Sequence, residues 1–480
     1  MRFQITDLLK VSVLSAGIFL FVIDLFIINV SLPSMQQSLQ LSTSETQWIV
    51  ILYVIGYASL LISSGNAGNY YGRKKIYLIG MFGFTVSSII CGFSNHVYFL
   101  LFGRLMQGIS SGLMVPQGIA LVTSLFKQQE KRSLALGIYG SIAGVASVLG
   151  QLLGGILPDQ TWIRESWRLI FLVNIPVGIL ALVLIYTSIP RVEKDTSVQL
   201  RFKPMIQLFS LLIGLICPLI LGPELHWPLW SILLLGISLV LLYCFLKQQK
   251  KQHHSGHPAL INFSLFYNKV FNLGLAAALA YYMVQDAYFI INSNYLQLYK
   301  NFTPTMTGIA FVYQGVGYVV ASIVVSRFVQ NNGKTIILCG LGIMLAGLMA
   351  HLYVFNQTTP ATAPIHALFF FYGVGCGTVL PSLMTMALKD IKTNLIGVGS
   401  GIYLTIQQLS ICLGIALVVG VYLHDQGTTF LKMENLTHAY GISTLISIFL
   451  LVAVAIFITL LPSQKRLDKT HRVRKWKNIS

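Results

Sequence analysis

Charge is what this sequence has least of. Only 10% of its 480 residues are charged and only 14 are acidic, where a soluble domain carries about a quarter charged residues. That scarcity excludes a water-soluble fold of this length. Long polar stretches are missing too, so no separate soluble domain fits between the apolar runs. Cysteine is sparse. Cys91, Cys217, Cys244, Cys339, Cys376 and Cys412 stand singly in apolar segments, which excludes a disulfide framework and any metal or redox spacing. His253, His254 and His257 have no fourth ligand nearby, so their loop reads as solvated and not as a metal site.

What is abundant is apolar. Hydrophobic residues make up 55% of the chain and the mean hydropathy is +0.74. Apolar runs occupy residues 11–33, 47–64, 76–94, 98–125, 134–157, 167–188, 205–222, 229–246, 270–292, 306–328, 335–355, 363–388, 396–424 and 439–461. Each is near the ~20 residues that cross a bilayer as a helix. The fold class is therefore all-α and polytopic, with 14 transmembrane helices. The net charge of +18 would suit nucleic acid if it formed one surface, but it is sorted by side. With the N-terminus inside, 27 Lys and Arg face the cytoplasm and 4 face the other side. The positive-inside rule then puts both termini in the cytoplasm, and no nucleic-acid partner is expected. Residues 2–10 and the run after them look like a signal peptide. The run continues through Asp24 to Pro33 with no small-residue cleavage site, so it reads as the first span.

Three ionisable residues lie deep in spans: Asp24, Arg104 and Asp286. A charge at that depth is costly and should face a cavity or a partner. Arg104 keeps its proton and needs carboxylates, carbonyls or water in reach. Asn29 lies about 140° around the helix from Asp24 and need not share its face. The ninth span gathers Tyr281, Tyr282, Gln285, Asp286 and Tyr288, and the tenth adds Tyr313 and Gln314. Such polar-aromatic groupings suit amphipathic organic ligands. The fifth span spaces Gly140 from Gly144 and Gly150 from Gly154 by four residues, the spacing of close helix packing. Gly373, Gly375, Gly377 and Pro381 predict a break or bend in the twelfth span. Trp167 and Arg168 suit an interfacial anchor. His226, His351 and His366 have no nucleophile or acid paired with them in sequence, so an enzyme is not expected.

The most organised stretch is residues 65–75, a tight loop of glycines and cations between the second and third spans. Gly65 is followed four residues later by Asn69, then by Gly72, Arg73, Lys74 and Lys75. This spacing resembles the loop between helices 2 and 3 of the major facilitator superfamily, with Asn69 where that family usually has Asp and Tyr70 where it often has Arg. Arg104-x-x-Gln107-Gly108 is similar to the superfamily's helix 4 motif. Gly150-Gln151-Leu152-Leu153-Gly154-Gly155 resembles an antiporter motif in which Gln151 replaces proline. The stretches around Asp24, Gln47-Trp48 and 167–178 are similar to the fourteen-helix drug:proton antiporter branch.

The resemblance implies two six-helix bundles with two helices inserted between them. Its expected divisions are 1–190 for the first bundle, 191–256 for linker and inserted helices, 257–462 for the second bundle and 463–480 for a basic cytoplasmic tail. It further implies proton-coupled export of amphipathic compounds or drugs by alternating access, driven by the proton gradient with no cofactor and no metal. Asp24, Arg104 and Asp286 are the expected proton-coupling residues. Gln107, Gln151, Tyr281, Tyr282, Gln285, Tyr288, Tyr313 and Gln314 are the expected substrate contacts. Gly65, Asn69, Gly72, Arg73 and Lys74 form the expected gating loop, and Gly150, Gly154 and Gly155 the packing motif. Expected partners are the small-molecule substrate and the lipid bilayer, with a periplasmic adaptor if the source is Gram-negative. The alternative is a dedicated exporter of one endogenous metabolite or siderophore-like compound on the same fold.

Overall fold

The structure is a computed structural model that describes residues 4–61, 63–126, 128–161, 163–190, 202–254, 263–326, 328–355, 362–391, 395–425 and 433–461. The basic tail, residues 191–201 and the segment 255–262 leading to the ninth span lie outside the described residues. Apolar chain in a bilayer must satisfy its own backbone groups, and helices do so segment by segment. Among the described residues there are 14 helices long and apolar enough to span. The first half comprises α1 (Ile5–Leu39), α2 (Thr43–Leu61), short α3 (Ser63–Tyr71), α4 (Arg73–Gly92), α5 (Val97–Leu125), α6 (Gln129–Ile156) and the paired α7 (Leu169–Leu172) and α8 (Asn174–Ser188). Then come α9 (Phe202–Glu224) and α10 (Leu229–His254). The second half comprises α11 (Lys269–Leu298), α12 (Pro304–Ser326), α13 (Val329–Phe355), α14 (Thr362–Leu388), α15 (Ile396–Gly414), a π turn at Ile415–Val419, α16 (Gly420–Asp425) and α17 (Met433–Thr459).

Several helices outrun their apolar runs. Hydropathy marks the hydrocarbon layer, while helical hydrogen bonding continues into the interface. The 65–75 stretch is likewise more helical than expected. Residues 63–71 form α3, and the turn is concentrated at Gly72, whose φ of 100° is open to glycine but strained for other residues. The twelfth span is also corrected: α14 runs unbroken past Pro381. Its glycines serve close approach instead, because a Cβ at Gly373 or Gly377 would strike the backbone of Gln314 or Tyr318 on α12.

The two halves repeat one packing scheme. α5 packs between α2 and α4 as α14 packs between α12 and α13, and α1 lies on α6 as α11 lies on α15. The inserted α9 lies against α2 and the π turn, with α10 behind it. The halves meet along α6 and α12 and along α1 and α11. Gly155 of α6 abuts Pro304 and Gly308 of α12, and Asp159 Oδ2 accepts from the Thr305 amide at 2.9 Å. The Val30 carbonyl of α1 accepts from Gln297 Nε2 of α11 at 2.8 Å. Farther along the same face of α6, Gly137, Gly140 and Gly144 meet nothing within 4 Å. The expectation that Gly140 and Gly144 pack a neighbour is therefore corrected: a Cβ at either position would enter open space.

Gly154→Val should lower thermal stability by about 1–3 kcal/mol, because its side chain meets the Ile27 carbonyl with no room to move. Gly140→Ala should leave it unchanged or raise it by up to about 1 kcal/mol, since alanine is the better helix former. Melting of the purified variants measures both.

Candidate functional site

The deepest polar cluster is built from five helices of the first half. Asp24 on α1 and Arg104 on α5 are both fully buried, and Arg104 Nη1 donates to Asp24 Oδ2 at 2.5 Å. Asp24 Oδ1 accepts from Asn174 Nδ2 of α8 at 3.0 Å and from Gln107 Nε2 at 3.4 Å. Arg104 Nε donates to the Ile49 carbonyl of α2 at 3.0 Å, and its guanidinium lies 4.2 Å from the Tyr53 ring centroid. Gln107, one turn beyond Arg104, accepts from Arg104 and donates to Ser88 of α4 at 2.9 Å. Arg104 Nη2 is buried with no hydrogen-bond partner. A buried pair of this kind is held by attraction and by the added donors, and removing one charge strands the other.

Gln107 is thereby corrected as a substrate contact, since both ends of its amide are committed to the ion-pair cluster. Asn174, Ser88 and Tyr53 were missed by sequence reasoning; an asparagine in the otherwise apolar 167–188 run was the available signal. Trp167 is corrected as well. It is buried and donates to Ser38 at 3.0 Å, while Arg168 donates to the Gly92 carbonyl at 3.1 Å. These residues tie the helix ends together instead of anchoring in headgroups.

A second polar region lies in the other half. Cys376 of α14 donates to Gln285 Oε1 of α11 at 3.4 Å, beside Tyr281 and Gln314. Gln151 of α6 reaches the same neighbourhood, next to Gly315 of α12. Gln151 Oε1, Gln314 Oε1 and the Tyr281 hydroxyl are buried without a hydrogen-bond partner. Asp286 is buried near Tyr282 and Cys412, and no hydrogen bond to it occurs among the described residues. Tyr282 meets Tyr403 edge to face, at 6.3 Å between centroids.

Two further expected contacts point elsewhere. The Tyr288 hydroxyl is 3.0 Å from His351 Nε2, and its ring stacks on Tyr372 at 3.8 Å. It is a packing element between α11, α13 and α14. Tyr313 stacks on His366 and is 43% exposed, on a stripe with Met306, Ile309, Val316 and Val320 that faces outward at helical spacing. Both are corrected as substrate contacts.

The 65–75 stretch bonds only to its own half among the described contacts. Asn69 Oδ1 accepts from Arg73 Nε at 3.3 Å and Nη2 at 3.1 Å, so the amide still holds the arginine. Arg73 Nη1 donates to the Ala120 carbonyl at 3.0 Å, and Lys74 Nζ donates to the carbonyls of Tyr186 and Ile189.

The family model of the Major Facilitator Superfamily matches residues 14–415. The chain belongs to the major facilitator superfamily. Its curated relatives include a probable actinorhodin transporter of Streptomyces coelicolor, 29% identical over 82% of this chain and 68% of the relative. Multidrug resistance protein Stp of Mycobacterium tuberculosis is 28% identical over 87% of this chain and 76% of the relative. A riboflavin transporter, RibZ of Clostridioides difficile, is 26% identical over 90% and 91%. Among solved structures, a D-xylose-proton symporter superposes with a TM-score of 0.68 at 15% identity, covering 95% of this chain and 98% of its own. That likeness establishes the fold. As a superfamily member the chain is a membrane transporter and not an enzyme.

Asp24→Asn should destabilise the protein by about 3–5 kcal/mol, because Arg104 is left as an unpaired buried charge. Adding Arg104→Gln should restore part of that loss. A double variant melting no higher than Asp24→Asn would remove the ion-pair account.

Proposed function

We propose that the chain is a proton-coupled antiporter that exports amphipathic organic compounds across the cytoplasmic membrane. The observation that carries this reading is the Asp24–Arg104 pair, sealed at zero exposure. A proton on Asp24 cancels the charge that holds Arg104, and the same cluster joins α1, α2, α4, α5 and α8. Protonation is thereby linked to the packing of five helices, which is what coupling to alternating access requires. The sorting of 27 cations to one face supports cytoplasmic termini.

Gln151, Tyr281, Gln285 and Gln314 are the substrate contacts in this reading, and Asp286 accepts a single positive charge. Unpartnered carbonyl oxygens on Gln151 and Gln314 favour substrates that bring N–H or O–H donors on an aromatic frame. Asp24, held by three donors, serves the proton; Asp286, which accepts no hydrogen bond among the described residues, serves the substrate or a second proton. The resistance proteins and the antibiotic transporter among the relatives support drug-like cargo. A dedicated metabolite exporter is the second reading, favoured by the riboflavin transporter among them.

Inverted vesicles, acid-loaded and challenged with a panel of lipophilic cations and neutral drugs, test both. Several unrelated compounds should release protons, and Asp24→Asn should abolish the release. Full export against a gradient by Asp24→Asn would sink the assignment, and silence across the panel with intact protein would favour the metabolite exporter. Asp286→Asn should weaken monovalent cations at least about tenfold while sparing neutral compounds.

A further inference from the structure

His351 is fully buried in the core of the second half, and the transport reading makes no use of it. It stands on α13, enclosed by Tyr288 of α11, by Phe369 and Tyr372 of α14 and by Phe355 of its own helix. Its Nδ1 lies 2.7 Å from the Gly347 carbonyl, which can only accept, so Nδ1 carries a proton. In the neutral ring Nε2 is then an acceptor, and the Tyr288 hydroxyl, 3.0 Å away, is its donor. The bond back to its own helix fixes the imidazole, and the fixed imidazole fixes the phenol.

Tyr288 is also one rung of a ladder between α11 and α14. Its ring stacks on Tyr372 with centroids 3.8 Å apart and planes within 9° of parallel. One turn back along α11 is Gln285, and one turn on along α14 is Cys376. These two form the next rung, where Cys376 Sγ donates to Gln285 Oε1 at 3.4 Å. Residues three or four apart share a helix face, so both rungs depend on how α11 slides and turns against α14. The stack sets that register, and His351 holds the stack from behind. Gln285 is half-buried, whereas Tyr288, Tyr372 and His351 are sealed. A glutamine has many rotamers to lose on ordering. With its Oε1 held by the thiol, the N–H end of its amide is the end left for a ligand.

We propose that His351 is a positioning residue for cargo binding. Through Tyr288 and the stack on Tyr372 it holds Gln285 in register with Cys376, and it touches no cargo itself. The proposal rests on the reading of Gln285 as a cargo contact.

Two measurements on the full-length protein test it, and the first needs no cargo. The S–H stretching band of Cys376 reports its hydrogen bond to Gln285. It is isolated as the infrared difference between each protein and the same protein carrying Cys376→Ser. His351→Leu should shift this band toward that of a free thiol. Tyr288→Phe keeps the stacked ring but loses the hydroxyl; it should shift the band the same way, and serves if His351→Leu does not fold. His351→Gln, whose Oε1 falls about where Nε2 stands, should leave the band in place. A band unmoved by both His351→Leu and Tyr288→Phe would overturn the proposal.

The second measurement is efflux kinetics in vesicles with ethidium and chloramphenicol. For whichever compound Gln285→Ala weakens, His351→Leu should raise KM about threefold to tenfold, the worth of one hydrogen bond. The maximal rate should stay within about twofold, and His351→Leu should add nothing in the Gln285→Ala background. Full additivity in that background would overturn the proposal even with a shifted band. A KM unmoved by Gln285→Ala for both compounds would instead remove Gln285 as a contact, and the positioning of cargo with it. A shifted band beside that result would locate the failure in the cargo reading and not in the hold of His351 on the ladder.

Discussion

Hydrocarbon offers no hydrogen bonds, and every level of this structure answers to that fact. Backbone groups are satisfied within each helix, so the chain is a set of helices. Attraction between helices cannot come from water exclusion, so it comes from close contact. Where helices cross, glycine brings backbone to backbone, as at Gly108 against Tyr53 and Gly377 against Tyr318. Polar side chains that enter the layer either find partners or mark a site.

The halves use this constraint differently. In the first half the deep carboxylate is well partnered: Asp24 accepts from Arg104, Asn174 and Gln107. In the second half the carboxylate of Asp286 and the carbonyl oxygen of Gln314, and across the interface that of Gln151 on α6, lack donors among the described residues. One half holds a paired charge, and the interface beside the other holds a carboxylate and two carbonyl oxygens without donors among the described residues. In the proposed proton-coupled reading, the proton and the cargo are kept on separate groups. Tyr288 and His351 complete each other inside the second half, leaving their neighbour Gln285 to border the open region.

The ends of the bundles show the same repeat as their cores. Lys74, two residues past Gly72, donates to carbonyls at the end of α8. Lys334, just past Gly333, donates to the carbonyls of Thr459 and Leu461 at the end of α17, at 2.6 and 2.9 Å. A cation at a helix C-terminus meets its unpaired carbonyls and the negative end of its dipole. The repeated contact fastens the last helix of each half to the turn after its second.

Composition and periodicity were enough for the fourteen spans and the burial of Asp24, Arg104 and Asp286, because these follow from the transfer of single segments into a bilayer. The glycine and cation spacing of residues 65–75 carried the family. What a linear reading missed were relations between segments. Tyr313 and Gln314 are neighbours in sequence, yet one faces outward and the other inward, since a helix turns about 100° per residue. Gln107 and Gln151 are equally polar in sequence, and only the fold commits the first to an arginine and leaves the second unpartnered. Gly140 and Gly154 sit in the same motif spacing, but one meets open space and the other a carbonyl. Sequence determines which groups the membrane makes expensive; the tertiary structure decides which of them are satisfied, because a hydrogen bond is a property of two segments brought within 3 Å or so of each other.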